Sequence, residues 1–404
     1  MTARLVIWRS PLVVVLCGCL IAVIGFGARF GLAFLLIPIS SAHGWGRDVF
    51  SLALAIQMLL WGAAQPLVGG IADRLGPTLV LSAGAVVYAL GLATMAYATT
   101  PAMLNLTAGV LIGLGLAGSS FTIVISAFGK LMPEQWRSVA FGAGTAAGSC
   151  GQFVFSPLAV ALLTSYGWES TLAIFAMMVL LIVPLSLPLA TPPLPQGLKR
   201  QQSVTEALTE AFGHRSYVLL MLGYFTCGFQ TFFMGVHLPS YLADRGLSLE
   251  LGGWTLAIIG LFNIVGSLGS GWLGNMMPKR FILAGIYFGR SLAIILYIIL
   301  PPSSAATLIF GAVMGVLWLS TIPPTSSLVA IMFGERWLAM LLGVAFVSHQ
   351  LGGFLGVWLG GFLFEQTKSY DAVWWLAILF GLLSAVINLP IVEKPVHRVA
   401  AVPA

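Results

Sequence analysis

Two arginines lie inside long apolar stretches of this chain, Arg29 in GFGARFGLAFLLIPIS and Arg290 in IYFGRSLA. A guanidinium at the centre of a bilayer costs from ~3 to well over 10 kcal/mol, so a charge placed there answers to a function or a fixed partner. None of the 12 Asp and Glu lies in the interior of such a stretch. Fixed charge inside the expected spans is therefore only positive, and a cavity that carries it attracts an anion. A guanidinium fork holds a carboxylate through two parallel charge-assisted hydrogen bonds. Arg29 is read as that anchor, and Arg290 as a second candidate for substrate contact.

Other polar side chains in the apolar stretches extend the set. Histidine as a residue type titrates near neutrality, and His237 and His349 lie in the apolar stretches. With no carboxylate beside them, they are the side chains there suited to carry a coupled proton. Gln230, Asn263, Ser119 and Gln152 are candidates for neutral contacts to a bound substrate, and Phe233, one turn from Gln230, for an apolar wall. A proton could equally ride on the substrate anion held by Arg29, which needs no titrating side chain. Cys17, Cys19, Cys150 and Cys227 lack the spacing of a zinc or redox motif and read as small packing residues.

The elements that must position these groups follow from composition. The chain has 404 residues, 59% hydrophobic and 7% charged, against about 25% charged in soluble domains. Apolar blocks of ~20 residues argue for helices, because a membrane barrel shows ~10-residue alternating segments. The expected fold is an all-α membrane protein with twelve transmembrane helices. Residues 1–190 form one six-helix bundle, residues 191–215 a linker, and residues 216–404 a second six-helix bundle. The linker has a Pro-rich start and a charged amphipathic middle suited to a surface helix. Pro323-Pro324 interrupts the tenth span. Thirteen Lys and Arg fall on the side of the termini and linker and three (Arg47, Arg245, Lys368) on the other, which places both termini in the cytoplasm. The net charge of +6 thus reflects topology, and no nucleic-acid partner is expected.

The two halves repeat. A shift of 201 residues brings Gly27 onto Gly228, Pro38 onto Pro239, Pro77 onto Pro278, Ser119 onto Ser320, and Gly151 onto Gly352. It also brings PEQW (Pro133 to Trp136) onto GERW (Gly334 to Trp337). Two bundles in the same orientation imply a pseudo-twofold axis along the membrane normal. The shift sets Arg29 opposite Gln230.

The loop after the second span, Gly69-Gly-Ile-Ala-Asp73-Arg74-Leu-Gly76, resembles the G-x-x-x-D-R-x-G signature of the major facilitator superfamily. The likeness covers essentially the whole chain. It implies that Gly69, Asp73, Arg74 and Gly76 form a gating motif, and that spans 1, 4, 7 and 10 line a central cavity. A narrower likeness is to the monocarboxylate porter family, including bacterial members. It rests on ARFGLAFLLIPISSAHGWGRDVFSLALAIQ, with Gly44-Trp45-Gly46-Arg47 opening the second span, and on GYFTCGFQTFFMGVHLPSYLADRGL. That resemblance places Arg29 where several members carry a basic residue implicated in substrate binding. It also places Asn263 and Ser267 where members carry an acidic or amide residue followed by an Arg, so the Arg is missing here.

The expectation is a secondary carrier of a small organic anion, a monocarboxylate, working by alternating access and able to couple to H+. Its partners are that anion, the proton and membrane lipid, and its place a bacterial inner membrane. No phosphate loop, Ser-His-Asp pattern or metal cluster is present in the sequence, so no enzyme activity, cofactor or metal is expected. The alternatives are a proton-coupled exporter of drugs or neutral metabolites and, in another class, a non-transporting sensor on a carrier fold.

Overall fold

In lipid a backbone amide has no water to bond, so each apolar run closes its hydrogen bonds within a helix. The computed structural model describes residues 10–191, 203–334 and 337–396, and of residues 73, 134–139, 141 and 339 the backbone only. Twelve spanning helices are present among the described residues. They are α1 (Pro11–His43), α2 (Arg47–Leu75), α3 (Pro77–Met95), α4 (Pro101–Leu131), α5 (residues 134–166) and α6 (residues 168–189), followed by the surface helix α7 (Val204–Gly213). The second bundle comprises α8 (Arg215–Asp244), α9 (Leu249–Leu273), α10 (Lys279–Ile299), α11 (Ser304–Phe333), α12 (Leu338–Thr367) and α13 (Asp371–Asn388). α5 runs into α6 with only Gly167 between them. Its φ of 78° turns the chain where a side chain would be strained.

The fold is therefore two six-helix bundles. The linker forms a helix where an amphipathic one is expected: Ser203 and Glu206 build a capping box at its start, and Ala207 and Ala211 are buried. Arg4, Arg9, Lys199, Arg200, Arg336 and Arg398 lie outside the described residues. So do the Asp73 side chain and those of PEQW from Glu134 onward.

The repeat survives into packing. Helices in a bilayer gain by close van der Waals approach, which small residues permit. A Cβ on Gly228 of α8 would overlap the His349 carbonyl of α12, and one on Gly352 would overlap the Phe225 carbonyl. In the first bundle their counterparts Gly27 and Gly151 bring α1 and α5 together, Gly151 against the Val23 carbonyl. α4 and α11 also break at matching places. α4 is interrupted at Ser119–Ser120 between Ile112–Gly118 and Phe121–Leu131. α11 is interrupted between Ser304–Leu317 and Ile322–Phe333, with Pro323-Pro324 just inside the second piece.

The bundles meet along two seams, α2 against α12 and α5 against α9. The segment of α4 after Ser120 and that of α11 after Thr321 make no extensive contact across the seams among the described residues. The pair forms a wedge, tied at the Arg47 end by the Arg47–Asp244 bridge and opening toward the linker end, where Gly69, Gly70, Gly142 and Gly343 face open space.

Candidate functional site

At the closed end one cation ties both bundles. Arg47, the first residue of α2, donates from Nη1 to Asp244 Oδ2 and from Nη2 to Asp244 Oδ1, both at 2.6 Å. Nη1 also reaches the Tyr370 hydroxyl at 3.0 Å, and the backbone N–H bonds Glu365 Oε1 at 2.8 Å. The guanidinium lies 3.9 Å from the centre of the Phe364 ring. Burial pushes the Tyr370 phenol up to about 12, against the opposing pull of Arg47 beside it, so this hydroxyl keeps its proton. It donates to His237 Nδ1 at 3.3 Å. His237 Nε2 stands 2.9 Å from the Val357 carbonyl, which only accepts, so Nε2 carries the proton. Both ring nitrogens of His237 are thus committed to holding the closed end.

Further along, the seams are stitched by amides. Gln152 Nε2 donates to the Leu256 carbonyl at 3.0 Å, and Asn263 Nδ2 to Ser149 Oγ at 2.9 Å. On the other seam Gln350 Nε2 donates to the Met58 carbonyl at 3.2 Å, and Trp61 packs edge-on against Phe346 at 5.5 Å.

Arg29 sits at this depth, where the wedge begins to part. It is 6% exposed. Its Nη2 lies 3.2 Å from the Met58 sulfur, a weak acceptor, and its buried Nε has no hydrogen-bond partner. Three rings surround the guanidinium carbon: Phe232 at 4.3 Å, Phe30 at 5.1 Å and Trp61 at 5.6 Å. Cation–π contact offsets part of the desolvation. It leaves donors unused, because rings accept far more weakly than oxygens. The Trp61 Nε1–H is buried and unpartnered as well. Phe26 extends the aromatic wall, edge-on to Trp61 at 5.7 Å and to Phe121 at 5.4 Å. This arrangement is a positive, donor-rich cluster walled by aromatic faces and contributed by both bundles.

His349 lies on the far side of Phe232, 5.3 Å from ring centre to ring centre, and tilted over Tyr224 at 4.8 Å. Its Nδ1 is 3.2 Å from Gln350 Oε1.

The structure does not gather the other expected residues around Arg29. Arg290 is fully buried but is spent on the break in α11: Nε donates to the Leu317 carbonyl at 2.9 Å, and Nη2 to the Leu317 and Trp318 carbonyls. Those carbonyls lost their helical donors at the break, and the end of a half-helix carries partial negative charge. Gln230 joins the same knot, accepting from Arg290 Nη1 at 3.3 Å and donating to the Ala377 carbonyl at 2.8 Å. It faces α10 and α13 instead of Arg29. Phe233 packs on Trp374 of α13 at 4.9 Å. Ser119 bonds back to the Gly115 carbonyl of its own helix at 2.7 Å. Asn263 also accepts from the Leu319 N–H at 2.9 Å, so it and Gln152 act as seam fasteners.

In the loop motif, Gly76 has a φ of 91°, which requires glycine. Gly69 has open space where a Cβ would point, because the linker end is parted, and Arg74 is exposed. Trp61, Phe232, Phe30 and Met58 are site residues that sequence reasoning missed. The signal for Trp61 is its place one turn below Gln57 on a helix facing the partner bundle.

Comparison with known proteins agrees with this architecture. The chain is 27% identical over 383 residues to the uncharacterized MFS-type transporter YcxA of Bacillus subtilis (strain 168), covering 91% of each. It is 26% identical to monocarboxylate transporter 13 of Rattus norvegicus, over 85% of this chain and 79% of the relative. Among solved structures, an inward-facing, unoccupied bacterial homologue of the human lysosomal transporter Spinster superposes with a TM-score of 0.73 at 15% identity, covering 94% of this chain and 96% of that one. A D-xylose–proton symporter superposes with a TM-score of 0.72 at 16% identity, covering 96% and 98%. The family model described as Major Facilitator Superfamily matches residues 18–357. With twelve spans in two repeated bundles and a wedge between them, the chain belongs to the major facilitator superfamily of membrane transporters and is related to monocarboxylate transporters.

Proposed function

We propose that this protein is a secondary carrier of a small organic anion, a monocarboxylate, and that Arg29 is its anchor. The observation that carries the reading is Arg29 itself: a buried guanidinium at the apex of the wedge, with unused donors and no carboxylate facing it. A carboxylate at that cluster supplies the two acceptors that the fork lacks. The aromatic walls exclude water and strengthen the attraction. By the Lys and Arg count the parted end faces the cytoplasm, so the conformation described is inward-facing, and both termini are cytoplasmic in a bacterial inner membrane. Alternating access then consists of closing the linker end around the anion and parting the Arg47 end.

The test is uptake of radiolabelled lactate and pyruvate into proteoliposomes. Hydrogen bonds to charged groups contribute about 1.5–3 kcal/mol each, so losing two in Arg29→Gln lowers affinity on the order of a hundredfold or more. Flux of these anions at the parent rate in Arg29→Gln refutes the assignment.

A further inference from the structure

Gln65 of α2 meets the break in α4 through three short contacts. Its Nε2 lies 2.9 Å from Ser120 Oγ and 2.6 Å from Thr122 Oγ1, and the two hydroxyl oxygens are 2.7 Å apart. Each contact needs a hydrogen between its heavy atoms. The amide nitrogen brings two and the hydroxyls one each. As the amide stands, its two hydrogens fill two contacts and one hydroxyl hydrogen fills the third. Turned over, the amide would offer its oxygen to both hydroxyls, and two hydrogens would have to serve three contacts. The count therefore fixes the amide. It leaves one hydroxyl hydrogen and the Gln65 Oε1 atom unused. Gln65 is 9% exposed, and Oε1 is buried with no hydrogen-bond partner among the described residues. Ser120 is buried and Thr122 exposed. A spare hydrogen on Ser120 would be buried at a cost, so Ser120 donates to Thr122 and the spare hydrogen is that of Thr122, facing the wedge. Ser120 also stands at the N-cap of Phe121–Leu131 without capping it, so its hydroxyl is given to this cluster.

A spare acceptor beside a spare donor is the complement of one hydroxyl group, which gives one hydrogen and takes one. It does not match a carboxylate, which only accepts, or an ammonium, which only donates. The last side-chain torsion of glutamine is broad, so a small turn of the amide brings Oε1 to the surface beside Thr122. The cluster also has a fixed place relative to Arg29. Gln65 follows Trp61 by one turn of α2, about 6 Å along the axis toward the linker end, and the Trp61 ring lies 5.6 Å from the Arg29 guanidinium carbon. Phe121, next to Thr122, is edge-on to Phe26 at 5.4 Å, and Phe26 to Trp61 at 5.7 Å. Between the guanidinium and the hydroxyl-binding groups the wall is aromatic.

We infer that Gln65 and Thr122 form a second subsite for the transported anion, and that this anion is a hydroxylated aromatic monocarboxylate. The inference rests on the reading of Arg29 as the anion anchor. The carboxylate takes the Arg29 fork, and the ring of the anion lies against Phe26, Trp61 and Phe121. The hydroxyl at its far end donates to Gln65 Oε1 and accepts from Thr122 Oγ1. A ring substituted at opposite ends spans that interval of one helical turn. The hydroxyl of lactate sits beside its carboxylate and stays a turn short of Gln65. A site built to hydrogen-bond a hydroxyl rejects the analogue that lacks it, because its own polar atoms are then left unpaired. Gln65 and Thr122 thus set specificity, while Arg29 sets charge.

The experiment measures affinity by calorimetry on the detergent-purified protein, with 4-hydroxybenzoate, benzoate, 4-methoxybenzoate and lactate as probes. The parent should bind 4-hydroxybenzoate roughly tenfold more tightly than benzoate, the yield of two hydrogen bonds between neutral groups. 4-Methoxybenzoate accepts a hydrogen but cannot donate one to Gln65, so its affinity should fall back toward that of benzoate. Thr122→Val and Gln65→Met should bring 4-hydroxybenzoate down to benzoate and leave benzoate where the parent has it. Should a variant lose benzoate as well, the comparison of the three benzoates on the parent decides alone. Equal affinity of the parent for 4-hydroxybenzoate and benzoate overturns the inference. So does a hydroxyl preference that survives in both variants, or lactate bound as tightly as 4-hydroxybenzoate. These failures differ from failure of the anchor: anion binding that survives Arg29→Gln removes the reading of Arg29, whereas binding that needs Arg29 yet ignores the hydroxyl removes only the subsite.

Discussion

Replacing Asp244 with Asn should shift the carrier toward the conformation in which the Arg47 end is parted. The lost interaction is a two-pronged ion pair, 2.6 Å on each prong, between side chains 15% and 33% exposed. A fully exposed pair contributes about 0–1 kcal/mol, and hydrogen bonds to buried charged groups about 1.5–3 kcal/mol each. This pair lies between those limits. Arg47 also keeps Tyr370 at 3.0 Å and the Phe364 ring at 3.9 Å after the change. About 1–2 kcal/mol is therefore lost from the closed form, and since 1.4 kcal/mol is a factor of ten, the population should move roughly 5- to 30-fold. Spin labels at the exposed positions Ser41 and Glu250, with Cys17, Cys19 and Cys150 replaced by Ala, report the separation of the bundles at that end. A long-distance population should rise in Asp244→Asn and rise further in Arg47→Gln, which also gives up the Tyr370 and Phe364 contacts. Identical distance distributions in parent and variant would refute the view that this pair holds the end shut.

Arg290→Met takes the guanidinium from the buried Leu317 carbonyl and leaves the Trp318 carbonyl with the weak Cys227 thiol, at about 1–3 kcal/mol per group; thermal unfolding in detergent should fall by several degrees. Arg290→Lys should recover part of that loss and leave anion affinity unchanged. Gly228→Ala forces α8 and α12 apart and should destabilise by about 1–3 kcal/mol or more, whereas Gly343→Ala, with open space at its Cβ, should be neutral in the same assay. Trp61→Leu removes a buried donor and a wall of the cluster and should weaken anion uptake about tenfold with little change in unfolding temperature. Tyr370→Phe should loosen the Arg47 end by the same spin-label measurement. Because the phenol sits at about 12, the parent end should show no titration of this hydroxyl across the physiological range.

Much of the architecture was readable because lipid imposes blunt rules. Apolar length, the glycines shared at one offset and the Lys and Arg count all report on global geometry, and the spans and the repeat follow from them. Arg29 was readable for the same reason, since a charge in an apolar run stands out whatever its neighbours. Its setting was not. Gln230 is the repeat partner of Arg29, but its surroundings are set by Arg290, whose counterpart in the first bundle is Ala89. An inherited position therefore acquired a different bonding partner. Asn263 and Gln152 face the protein interior as cavity residues would, and only the register of one bundle against the other turns them onto the seam. Phe232 and Trp61 carry no mark that separates a cage around a cation from ordinary packing.

The two interrupted helices are alike in position and unlike in mechanical character. In α11 a guanidinium clamps the loose carbonyl ends to α10, so the interruption behaves as a welded elbow and the second half turns as one stiff lever. In α4 the corresponding residues hold each other, among the described residues, through hydroxyls and the Gln65 amide, with Ser120 Oγ 2.7 Å from Thr122 Oγ1 and 2.9 Å from Gln65 Nε2. That interruption can bend without unburying a charge, against the close backbone contact of Gly118 and Ser119 with Gly84 of α3. Symmetric by descent, the molecule is lopsided as a machine: the stroke that closes the linker end should be a bending of the first half against an unyielding second half.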